Sequence, residues 1–105
     1  MDNHISASLC LENIFEKFGI KKISRDQIVS RPTEAIRDGL TWLNGLGILT
    51  QEDVSDWRMR YDFDDLSLEK VFENDITKDA FMELINQLQE IYKVNAESTE
   101  DEYEN

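Results

Sequence analysis

Apolar positions recur along most of this chain with the period of an α-helix, and they stop recurring after Val94. At about 100° per residue, Ala7, Cys10, Leu11, Ile14, Phe15 and Phe18 fall on one face. Gly19 follows as a C-terminal stop, so the spacing predicts a first helix over residues 5–18 with Cys10 in its buried stripe. Three later starts share one device. Ser24 with Gln27 reads as a capping box inside an Ile23/Ile28 staple. Thr50 is expected to cap next, with Asp53 in the first turn and Leu49 paired to Val54. Thr77 is expected to cap a third, with Ile76 paired to Phe81 and Asp79 near the positive end of the dipole.

Pro32 disfavours helix at Arg31 and suits the first turn of a new helix, so a break is expected between them. The helix it opens runs to about Leu43, with Ile36, Leu40, Leu43 and Leu46 as inner stripe and Gly45 and Gly47 at its end. The helix after Thr50 is short, with Val54, Trp57 and Tyr61 along one side. Asp62, Phe63, Asp64 and Asp65 form a loop before a short helix over 66–72. The last helix, over 78–93, carries the cleanest stripe: Phe81, Leu84, Ile85, Leu88, Ile91 and Tyr92. Residues 95–105 hold five acids, no base and no apolar spacing, and are expected to be a disordered tail. Only residues 60–63 weakly suggest a strand. The pattern therefore predicts an all-α fold: a small irregular bundle of five to six helices over 1–94, with an acidic tail at 95–105.

A chain of 105 residues, 40% hydrophobic and 10% aromatic, suffices for one domain with one core. No apolar run nears the ~18–20 residues that cross a bilayer, and Met1 to Leu9 has no basic n-region or apolar h-region. One cysteine allows no internal disulfide, so the expected compartment is the cytoplasm.

Charge changes the picture more than composition does. The net charge is −12, and it is unevenly placed. Residues 1–30 balance four acids with four bases, and residues 31–60 are short of neutral by one. Residues 61–105 set fourteen acids against three bases. Such a field disfavours nucleic acid and anionic membranes and favours a basic protein surface.

Catalytic and cofactor chemistries find little support. His4 stands alone near the N-terminus without a local partner to orient it. One Cys and one His do not make a tetrahedral zinc site. Asp62 to Glu73 spans the twelve residues of a calcium loop, but Leu66 and Leu68 stand where ligands belong, and no glycine makes the sharp turn. Gly45 and Gly47 close a helix instead of opening one, so they offer no phosphate cradle. Residues 34–57 read as helix, glycine turn, helix, yet a recognition helix over 51–60 would carry Glu52, Asp53 and Asp56 beside its two arginines. No metal, cofactor or catalytic residue is expected.

The residue types suit a non-enzymatic binding protein. In the leading reading, Asp62, Asp64, Asp65, Glu69, Glu73, Asp75 and Asp79, joined by Glu83 and Glu90, cover a basic surface that normally holds nucleic acid. Trp42, at the edge of its helix's apolar face, is a candidate anchor beside them. In composition the chain is similar to nucleic-acid-mimic inhibitors and toxin-immunity proteins, and no motif carries the likeness further. The alternative is a small adaptor or regulatory subunit that meets a protein through an apolar surface, with Trp42 and the outward-facing Met59 at the contact.

Overall fold

Polar side chains set where most of the helices begin. The computed structural model describes residues 3–104, with side chains described from His4 to Asn95. Six helices fill it: α1 (Asn3–Lys17), α2 (Arg25–Ser30), α3 (Pro32–Gly45), α4 (Gln51–Arg60), α5 (Leu68–Glu73) and α6 (Asp75–Glu104). The fold is all-α, with no strand among the described residues.

Ser24 Oγ accepts the Gln27 amide at 3.2 Å, and Ile23 and Ile28 on either side are buried. The Gln27 side chain does not return to Ser24; it donates to Asp38 of α3 at 3.1 Å. Glu12 of α1 satisfies the next amide instead, accepting from Arg25 at 3.0 Å. At α4 the box is complete: Thr50 Oγ1 accepts the Asp53 amide at 3.1 Å, and Asp53 Oδ2 accepts the Thr50 amide at 3.2 Å. Ser67 caps α5, so that helix starts at Leu68 and leaves Leu66 in the preceding loop.

The third expected start is corrected. Asn74, not Thr77, opens α6, its Oδ1 accepting the amides of Ile76 at 2.8 Å and Thr77 at 3.3 Å. Ile76 is 80% exposed and staples nothing. The Thr77 hydroxyl instead donates to the Val71 carbonyl, tying the end of α5 to the first turn of α6. At the other end α6 extends to Glu104, beyond the expected 93. The expectation of a disordered tail falls almost wholly on residues whose side chains lie outside those described.

Packing follows from the stripes. α1 lies along α6, α2 and α5 close against α1, α3 rests on α2, and α4 rests on α3. One apolar cluster runs from Ala7 to Leu88, with Phe15, Tyr61 and Phe81 its largest fully buried members. Phe15 reaches α3 because Gly39 presents no side chain there: a Cβ at that position would stand 2.4 Å from the ring's Cζ.

Two stripe positions differ from expectation. Cys10 is exposed. It stands about 100° around the helix from Leu11, whereas Ser8 stands about 60° away. Ser8 is the residue buried, its hydroxyl satisfied by the Ile5 carbonyl at 2.7 Å. Leu46 is exposed as well, because the chain leaves α3 there and turns at Gly47 with φ +79°. Ile48 and Leu49 then return amides to the Leu43 carbonyl, and Leu49 takes the buried place. Among the described residues no helix is long and apolar enough to cross a membrane.

Candidate functional site

The acidic loop after α4 is a built turn. Phe63 anchors it: its ring is buried and packs tilted on Phe81 of α6 at 6.3 Å, and its amide donates to Thr33 Oγ1 of α3 at 2.9 Å. Asp62 Oδ1 accepts the Asp64 amide at 3.0 Å, and the Leu66 amide returns to the Phe63 carbonyl at 3.2 Å. Asp64 sits at φ +55°, a left-handed conformation that aspartate tolerates better than most residues. Together these contacts hold the backbone while Asp62, Asp64 and Asp65 stay exposed.

These three carboxylates line one side of an open groove. Its other side is the end of α2 and the first turns of α3, with Arg31, Glu34, Arg37 and Asp38. Arg31 pairs with Glu34 at 3.3 Å, both side chains largely in water, a contact worth little to stability. The lining thus holds five carboxylates and two guanidinium groups. Among the described residues Asp62, Asp64 and Asp65 form no ion pair.

The other predicted site residues lie elsewhere. Glu69 and Glu73 are on α5, where Glu73 pairs with Lys70 at 3.5 Å; Asp75 and Asp79 are on the first turns of α6. All four are exposed, and none lines the groove. Trp42, on α3, is 41% exposed and carries Lys22 Nζ 5.3 Å above its ring, so it faces the α1–α2 connection. Met59 is 82% exposed. The structure therefore gathers three of the seven acids and leaves the others and Trp42 apart. Arg31 and Arg37 were missed as groove residues. Arg37 sits on the polar face of α3 and Arg31 at the break before it, both legible in sequence without any sign of what they oppose.

A second site, a shallow and widely open hollow, lies between α4 and α6. Trp57 and Ile91 give it apolar walls, and Glu83, Asn86, Gln87 and Glu90 complete the lining. Gln87 Nε2 donates to Glu83 Oε1 at 3.0 Å. Tyr61, 1% exposed and packed edge-on against Trp57 at 5.8 Å, belongs to the adjoining core. Its hydroxyl is buried and, among the described residues, has no partner at hydrogen-bonding distance, although the Arg60 and Gln87 side chains stand near enough to act on it. Burial pushes this phenol above its usual value; the nearby Arg60 side chain opposes the rise, Glu83 adds to it, and Gln87 opposes it again.

The remaining reactive side chains are scattered. The His4 ring packs edge-on against Phe72 at 6.3 Å, and no three His, Cys, Asp or Glu among the described residues are grouped to hold a metal ion. No protein-family model matches this chain, and neither does any curated protein or solved structure.

Proposed function

We propose that this chain is a non-enzymatic binding protein of the inhibitor or immunity type. Its acidic turn masks a basic surface of a nuclease or another nucleic-acid-binding effector. The observation that supports this most is the Asp62–Asp65 turn: three carboxylates without ion pairs among the described residues, held on a backbone tied to Phe63 and Thr33. A preordered turn loses little conformational entropy when it docks, and the −11 carried by residues 61–105 speeds the approach of a cationic partner. Arg31 is already engaged by Glu34, and the groove's lining stays negative by three charges with Arg37 included. Glu69, Glu73, Asp75 and Asp79 then serve the wider field more than the contact itself.

The test is capture from a lysate of the source organism at low and high salt. The intact chain is compared with a variant in which the aspartates at 62, 64 and 65 become asparagine and the glutamates at 69 and 73 become glutamine. A basic nucleic-acid enzyme held by the intact chain, and lost with salt or in the variant, is the expected result. A partner held equally by both baits at both salts would instead favour the adaptor reading, for which the exposure of Met59 and Trp42 is the motivating observation.

A further inference from the structure

The hollow between α4 and α6 combines features that the acidic turn lacks. Its walls include a tryptophan and an isoleucine, and among the described residues no lysine or arginine lines it. Glu83 and Glu90 are seven residues apart on α6, hence on one face and about 10.5 Å from each other along the axis. Among the described residues neither forms an ion pair. The seam is open because α4 packs chiefly on α3.

We propose that this hollow is a docking site for an amphipathic basic helix of a partner protein. One apolar side chain enters between Trp57 and Ile91, and two cationic side chains two turns apart meet Glu83 and Glu90. Charge complementarity selects this occupant: an apolar anchor alone would fit the walls, but only a cation-flanked one pairs with both exposed carboxylates beside them. A second observation points the same way. Among the described residues the buried Tyr61 hydroxyl has no partner at hydrogen-bonding distance, and the Gln87 side chain, which with that of Arg60 acts on this phenol, donates to Glu83. A cation that takes Glu83 releases Gln87, which is then free to turn toward Tyr61. The inference uses none of the acidic-turn residues and stands or falls independently of the masking proposal.

The experiment uses a Trp42→Phe chain, which leaves Trp57 as the single tryptophan reporter. The probe is a synthetic helical peptide of about 15 residues, long enough for partial helix in water. It carries one central leucine, with an arginine three residues before it and another four after. A saturable change in Trp57 emission is expected. Replacing the leucine by alanine or the arginines by glutamate should abolish or strongly weaken it. Glu83→Gln with Glu90→Gln should weaken binding roughly tenfold, as expected for two largely solvated ion pairs. Both positions are exposed, so unchanged helical circular dichroism is expected for that variant. The proposal is overturned by no saturable change up to about 1 mM peptide. Equal affinity for the glutamate-bearing peptide would overturn it too. So would an emission change that depends on protein concentration without peptide, since a second copy would then fill the hollow.

Discussion

Replacing Tyr61 by phenylalanine should stabilise this protein, against the usual outcome for a buried tyrosine. A buried tyrosine normally loses a hydrogen bond on truncation, whereas here, among the described residues, Arg60 and Gln87 approach the hydroxyl but no partner stands at hydrogen-bonding distance. Burying an unpaired hydroxyl costs about 1–3 kcal/mol. Removing it forfeits the few dispersion contacts of one oxygen and leaves a void of roughly its size, a loss of a few tenths of a kcal/mol at about 24 cal/mol per Å³. The expected net gain is about 1 kcal/mol, or a rise in Tm of roughly 4–8 °C for a domain near this size. The difference should also depend on pH. Unfolded phenols give up their protons near 10.0, while folded Tyr61 holds its proton to higher pH. Above that point the unfolded chain binds fewer protons than the folded one, so the contribution of Tyr61, whole below pH 10.0, is lost as pH rises through the folded value. Phenylalanine has no such slope, and its advantage over the wild type should widen there. Urea unfolding followed by far-ultraviolet circular dichroism, on both chains from about pH 8 to pH 11, reads both effects. A loss of about 1 kcal/mol or more in the variant would refute the reasoning, because it would mean that Arg60 or Gln87 bonds the hydroxyl in solution.

Three further substitutions probe other joints. Gly39→Ala places a methyl group 2.4 Å from Phe15 Cζ and 2.6 Å from Cε1. Overpacking at about 1–3 kcal/mol should outweigh the helix propensity gained, about 1 kcal/mol, giving a net loss near 1 kcal/mol in urea titration. Thr50→Ala removes one half of the α4 capping box and should cost about 1 kcal/mol; an unchanged unfolding midpoint would show that the box contributes nothing. Thr33→Val keeps shape but takes the acceptor from the Phe63 amide, so exchange of that amide should quicken by roughly tenfold, with about 1–2 kcal/mol lost. Unaltered exchange there would mean that Thr33 does not hold the acidic turn.

Local chemistry was legible wherever one side chain settles the matter. Ser24, Thr50 and the Arg31–Pro32 break each act on their own backbone neighbourhood, and each start or break lies where expected. The Thr77 start failed because Asn74 offers an equally local cap three residues earlier, and no pattern in the chain ranks the two. Cys10 and Leu46 failed at the margins of their stripes, where a satisfied Ser8 and the turn at Gly47 decided burial. What periodicity cannot carry is which polar faces meet. Thr33 and Phe63 are thirty residues apart, and their bond is what sets Asp62, Asp64 and Asp65 opposite Arg31 and Arg37. For the same reason the acids of the last helix could not be assigned: Glu83 and Glu90 line the α4–α6 hollow, while the groove gathers the three aspartates of the turn.

The masking proposal is tested most directly by the affinity of the captured basic partner as a function of salt. Binding would be measured for the wild type and for a chain with Asp62, Asp64 and Asp65 changed to asparagine. The asparagine side chain at position 62 retains an oxygen that can accept the residue 64 amide, so charge is removed while the turn keeps its bond. The account predicts much weaker binding by the variant at low salt, and two curves that converge as salt screens the interaction. Two coincident curves, or a wild type indifferent to salt, would contradict it.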